Sequence, residues 1–304
     1  MSLGEILDHA FQIYRSYFFS LLGLAVLPLI VQMALFLLGF PLDGLVRQTT
    51  LSTGVQRGLV DGYHWVTTHS SYYLDFVMWP VFCAAAEQII LRQECRVRDA
   101  LQAVRPRWRG LLTIAGVFWL LGSALPGWLL GAQPMWQPSR AVPFWLSFIM
   151  SPIESFALTA PLILGLPIWT IERTKVTEAL ARSWTLSKGA YGRMFVTFLL
   201  QAASIWSVNI SIRAMLSLTF YLMAQDHIAS LLRSIWIFLP TYIASIIVGP
   251  LFPIATTLIY YDQRIRLEGL DIELMMDVAG MTAPAPEQAL TMDIARTQSE
   301  EMQG

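Results

Sequence analysis

Six long apolar segments alternate along this sequence with polar stretches that are in turn strongly basic and sparsely charged. No charge occurs from Ser16 to Leu42, and the first apolar segment occupies residues 17–40. The second, 72–92, is the least regular, because Asp75 and Glu87 flank its apolar run FVMWPVFCAAA. The third, 110–132, is free of charge. The fourth, 144–170, is interrupted only by Glu154 and contains Pro152, Pro161 and Pro167. The fifth, 194–224, is interrupted only by Arg213, and the sixth, 235–261, holds Pro240, Pro250 and Pro253. Each segment reaches the roughly 20 residues that a helix needs to cross about 30 Å of hydrocarbon. The pattern predicts an all-α integral membrane protein with six transmembrane helices. The prolines are expected to kink spans four and six, with neighbouring helices satisfying the freed carbonyls.

A second periodicity is superimposed on the first. GEILDHAFQIYRSYFFSLL from Gly4, VRDALQAVRPRWRGLLTI from Val97 and VTEALARSWTLSKGAYGRMFVTFLL from Val176 read alike. Each opens with an acid (Glu5, Asp99, Glu178) followed two residues later by leucine (Leu7, Leu101, Leu180), and each then runs into a span. An acid suits the first turn of a helix, where the dipole favours negative charge. Apolar Leu180, Trp184 and Leu186 with Arg182 and Lys188 between them suggest a short helix in the interface. The predicted architecture is three repeats of interfacial helix plus helical hairpin.

Charge placement sets the expected orientation. Of 20 Lys and Arg residues, fifteen fall on one side of the six segments: Arg15, the 92–109 and 171–193 loops, Arg264, Arg266 and Arg296. Four (Arg47, Arg57, Arg140, Arg233) fall on the other, and Arg213 lies within a span. The positive-inside rule makes the crowded side cytoplasmic, with both termini there, as six spans require. The excess arginines are expected to meet anionic headgroups at the cytoplasmic face of a bacterial inner membrane. Only 13% of residues are charged against 55% hydrophobic, below the quarter or so of a soluble domain. Residues 1–278 form the expected membrane domain. The Ala-, Pro- and Gln-rich segment 279–304 reads as a disordered cytoplasmic tail.

Candidate chemistry is sparse. No phosphate-binding glycine loop, His–Glu–x–x–His run or nucleophile elbow is present. Asp61, His64 and His69 gather in the expected external loop after span one, too loosely spaced for a metal site. Cys83 and Cys95 read as a buried apolar residue and a reduced cytoplasmic thiol. No cofactor and no nucleic-acid partner are implied, and no protein partner is legible. Glu154 and Arg213 fall at similar depth, counted from the outer ends of spans four and five. They are expected to pair, because an ionisable group in lipid usually faces a partner in the bundle.

Two segments carry a resemblance. The first is marked by Glu172, Val176, Glu178, Ala179, Leu180, Arg182, Ser183, Trp184, Leu186, Lys188 and Gly189, before span five. The second is marked by Tyr260, Tyr261, Asp262, Arg264, Arg266, Glu268, Gly269 and Asp271, after span six. Together with GEILDHAFQIYR they make the chain resemble, over residues 1 to about 277, a family of bacterial membrane proteins. That family is labelled as the membrane domain of glycerophosphoryl diester phosphodiesterase. In its fused members the hydrolytic chemistry belongs to a separate soluble barrel, of which this sequence carries no counterpart, so no catalytic activity is expected from the resemblance. The expectation is a non-enzymatic multi-pass protein that binds or organises lipids or membrane partners. A transporter or channel with a polar site between spans four and five is the alternative. A membrane part of a lipid phosphodiester-metabolising system is a third and weaker reading.

Overall fold

The computed structural model describes residues 1–48, 53–92, 95–125, 153, 155–223, 240 and 242–269. Among the described residues every regular element is helical. In chain order they are α1 (Leu3–Ser16), α2 (Phe18–Gln48), α3 (Thr53–Arg92), α4 (Val97–Val104) and α5 (Trp108–Trp119). Then come α6 (Gly165–Ile171), α7 (Val176–Leu186), α8 (Tyr191–Met223) and α9 (Leu251–Glu268). Four helices are long and apolar enough to cross a bilayer: Phe18–Leu35, Tyr73–Leu91, Tyr191–Ile212 and Tyr242–Glu268. They coincide with expected spans one, two, five and six. Ser155–Ile171 is a shorter apolar helix within expected span four. Expected span three begins as α5 and continues through a π-helical turn, Leu120–Ala124, beyond which it leaves the described residues.

One expectation is corrected here. Residues 53–71, read as part of an external loop, are helical, because α3 runs unbroken through 40 residues from Thr53. At 1.5 Å per residue α3 is about 60 Å long and α2, with 31 residues, about 46 Å. Both exceed the hydrocarbon thickness of about 30 Å, so the hairpin continues past the span as helix. The polar residues that suggested a loop, Asp61, His64 and His69 among them, all lie on α3. Tyr63 ties the pair together by donating to the Leu35 carbonyl at 2.7 Å.

The three short amphipathic helices lie where the repeated segments placed them. In α1 a capping box closes the first turn: the Glu5 N–H donates to the Ser2 hydroxyl and the Ser2 N–H to the Glu5 carboxylate. In α7 the Glu178 carboxylate accepts from the Lys175 N–H. The acids Glu5, Asp99 and Glu178 hold the same first-turn position in all three helices. The residue after each acid is fully buried (Ile6, Ala100, Ala179), and so is the residue four further on (Ala10, Val104, Ser183). The leucines of the acid–x–Leu pattern are only half-buried, so the inward stripe lies one position earlier than that pattern suggested. The outward faces carry bulky aromatics, Phe11 on α1 and Trp184 on α7, each more than half exposed. Such rings prefer the water–lipid boundary.

The core is built from these inward faces together with the spans. Trp169, Tyr260 and Phe118 are its largest fully buried side chains. Small residues permit the closest approaches, as in other helix bundles in lipid. A Cβ added at Gly110 would lie 3.0 Å from the Trp169 ring, and one at Gly165 would lie 3.1 Å from Leu180. Residues 1–261 form one compact unit. The second unit begins at Asp262, and its described part is the last stretch of α9 and Gly269.

Candidate functional site

The motif residues before span five converge on a structural task. Past Ala160–Leu162, a 3₁₀ turn that includes Pro161, the chain leaves the helical ladder at residues 163 and 164. The Pro161 carbonyl there accepts two hydroxyls from α7, Ser183 at 3.0 Å and Ser187 at 3.2 Å. Both serines are fully buried, so these donors stand in for the backbone bonds that a broken helix forfeits. Downstream, the Glu172 carboxylate accepts from the Tyr260 hydroxyl at 2.7 Å and pairs with Arg182 Nε at 3.1 Å. One acid thereby joins the end of α6 to α7 and to α9. Arg182 is 37% exposed, which limits the ion pair itself to about 1 kcal/mol.

The remaining motif residues start and stop helices. Glu178 begins α7 and Gly189, at φ +88°, ends it in a conformation that side-chain-bearing residues rarely adopt. Trp184 and Lys188 are exposed. In the second unit, Asp262 pairs with Arg266 at 2.9 Å and Arg264 with Glu268 at 3.0 Å. These are staggered i,i+4 pairs along one helix, closed by Gly269 at φ +68°. Tyr261 stacks at a tilt on Tyr260, with ring centres 5.2 Å apart. Asp271 lies outside the described residues, as does Glu154, and the side chain of Arg213 is likewise outside them.

Arg107 was counted in the sequence only as one charge of a basic loop. It caps the C-terminus of α6, donating to the carbonyls of Trp169 at 2.9 Å and Thr174 at 2.6 Å. Its guanidinium also lies 4.3 Å from the centre of the Trp169 ring. Burial, and secondarily the nearby Arg173 charge, pull this guanidinium below its ordinary pKa.

The polar feature at membrane depth lies between spans one, two, five and six. A cavity of about 140 Å³ is bounded there by Gln32, Asp75, Trp79, Gln201, Tyr242 and Ser245, with apolar neighbours such as Phe82 and Phe252. Gln32 is only 5% exposed. The Gln201 carbonyl oxygen and the Trp79 indole N–H are buried without a hydrogen-bond partner. Beside the cavity the sixth span is broken. Residues 242–248 are helical, Gly249 and Pro250 form a turn, and α9 resumes at Leu251. A Cβ at Gly249 would collide with the Ser245 carbonyl oxygen, so the turn requires glycine. Tyr14 of α1 donates its hydroxyl to the Ile247 carbonyl just before the break. Sequence reasoning passed over this site. Asp75 registered only as a charge flanking the apolar run of span two, and Gln32 was not singled out.

A helical membrane domain whose apolar helices enclose a mainly apolar cavity carrying a few polar groups is the class these features define. Within it, residues 138–287 match the family described as the membrane domain of glycerophosphoryl diester phosphodiesterase. The match covers both motifs and extends past residue 279 into the segment read as a tail. It does not include residues 1–137, over which the resemblance had been extended. No curated protein and no solved structure matches the chain.

Proposed function

We propose that this chain is a six-span protein of the bacterial inner membrane, with both termini cytoplasmic, that holds a polar or amphipathic ligand among its spans without performing catalysis. The cavity between spans one, two, five and six carries this reading. Polar groups are expensive in lipid and mark the working parts of membrane proteins. Here an amide oxygen and an indole N–H are left unpartnered around a common space. The family motifs support a binding rather than a hydrolytic role, because their residues cap helices, staple breaks and form ion pairs. Among the described residues no three His, Cys, Asp or Glu side chains gather as a metal would need.

Three repeats fit the arrangement of the short helices. The second and third pack against even-numbered spans that precede them, α4 on α3 and α7 on α6. In the first, Tyr14 of α1 donates to the Ile247 carbonyl of the expected sixth span, and Arg193 at the start of α8 donates to the Met1 carbonyl.

Lipid analysis of purified protein tests the binding role. Wild type is expected to retain a lipid or small molecule that the folded double variant Gln32→Leu/Gln201→Leu loses. Identical retained sets would refute it. The broken sixth span favours a second reading, transport, since discontinuous helices beside a midplane site are a transporter feature. A flux of the retained molecule across proteoliposomes would select it.

A further inference from the structure

We infer that the ligand group recognised in this cavity is an ammonium. The inference rests on the binding role proposed above and adds the chemistry of the ligand. The ionisable acid of the lining is Asp75, and among the described residues no lysine, arginine or histidine lines the space. Among the described residues no ion pair neutralises Asp75, and it is exposed rather than packed away. It lies 17 residues from the end of α3 at Arg92, about 26 Å along the helix, and Gln32 lies about 21 Å along α2 from Phe18. Against about 30 Å of hydrocarbon, Asp75 therefore lies toward the end of its span opposite Arg92 and Gln32 further in, and a cationic ligand group would give the carboxylate a positive partner.

The other walls narrow the choice. Gln32 and Gln201 offer amide oxygens, and Gln201's is without a partner. Trp79, Tyr242 and Phe252 offer rings, whose faces attract cations within about 6 Å. Among the described residues a phosphate would meet a carboxylate here and no cation. A bare divalent ion needs six or more oxygens at about 2.0–2.6 Å, which a wall of aromatic rings does not supply. An ammonium uses both kinds of surface at once, donating to the oxygens and lying over the rings. About 150 Å³ suffices for a benzene-sized molecule, so the cavity admits a small amine or the end of a lipid headgroup and excludes a whole lipid.

The test uses the full chain in detergent and native mass spectrometry. Lysophosphatidylethanolamine is compared with its N-acetylated form, which differs by the loss of the positive charge. The amine form should bind wild type at least about tenfold more tightly, the value of a charge-assisted hydrogen bond, and Asp75→Asn should abolish the preference. Competition by free ethanolamine would assign the site to a soluble amine, and its failure to compete would assign it to a headgroup. Equal binding of the two lysolipids to wild type overturns the ammonium inference whether or not Asp75→Asn folds, while leaving an intramembrane ligand in place. If wild type binds none of the three probes, and Gln32→Leu/Gln201→Leu retains the wild-type set of lipids, the inference and the binding role fall together.

Discussion

Removing the two hydroxyls that α7 lends to the fourth span should be far worse than removing either. A carbonyl oxygen has two lone pairs, and at Pro161 each is used by one serine, at 3.0 and 3.2 Å. With both serines fully buried, water has no route to replace a missing donor. Ser183→Ala or Ser187→Ala alone leaves the carbonyl satisfied and should cost about 0.5–1 kcal/mol, the net worth of one neutral hydrogen bond. The double variant orphans the carbonyl in a water-poor setting. The penalty there is desolvation of an unsatisfied group, up to about 3 kcal/mol, rather than the sum of two modest terms. The cycle should therefore show a coupling of about 1 kcal/mol, in the range found for groups that share a partner.

Thermal unfolding in detergent followed by intrinsic tryptophan fluorescence reads this directly. With about 2–4 °C per kcal/mol, single variants should shift Tm by about 1–4 °C and the double variant by about 6–12 °C. Thr185→Ala is the internal control. Its exposed hydroxyl bonds back to the Arg182 carbonyl one turn earlier, so its loss should stay within about 0.5 kcal/mol of wild type. A double variant whose shift equals the sum of the singles, or lies within a degree of wild type, would refute the reasoning.

Gly249→Ala should give little folded protein by gel filtration, because the added carbon would collide with the Ser245 carbonyl oxygen; wild-type yield and Tm would overturn the turn geometry. Cys95 should react slowly with maleimide at pH 7.5. Burial, partly offset by a hydrogen bond with Ser20, raises its thiol pKa, so the thiolate fraction is below that of a free thiol and climbs only above about pH 8.5. Ser20→Ala removes the offsetting bond and should slow labelling further. At pH 9, impermeant maleimide should label Cys95 in inverted vesicles and not in intact cells. Reporter fusions within 92–109 and 171–193 should report cytoplasmic locations, and periplasmic signal at either would reverse the proposed orientation.

Local chemistry was legible in the sequence and distant chemistry was not. Spans one, two, five and six coincide with described helices because composition and length decide them. The three short helices were found because an acid in the first turn and a 3.6-residue stripe are local signals. Even there the buried stripe of α7 runs through Ala179, Ser183 and Leu186, and Trp184 turns outward, because packing against the spans decides the register. Polarity misled at residues 53–71. A helix extending past the bilayer needs no apolar face against lipid, so its sequence reads like a loop. The cavity was hidden for a different reason. Its polar residues come from four spans, separated by up to 213 positions between Gln32 and Ser245, and singly each resembles ordinary span-end polarity.

Proline breaks, short helices and motif residues belong to a single design problem. A break frees carbonyls at membrane depth, and each needs a donor that lipid does not supply. At Pro161 the donors are Ser183 of α7 and Ser187 just after it, and at Ile247 the tyrosine of α1, while the arginine that follows α4 caps the end of α6 at Trp169. Every short helix thus has, on itself or just after it, a donor aimed at a disrupted span. This explains why such helices are embedded in the bundle by one face instead of lying loosely on the membrane. It also gives a reason for keeping the breaks. A continuous sixth helix would need no Tyr14 and no Gly249, but it would also straighten the chain between Ser245 and Phe252, the stretch that walls the cavity. The hydrogen-bonded supports stabilise an irregularity whose structural consequence is the polar space beside it.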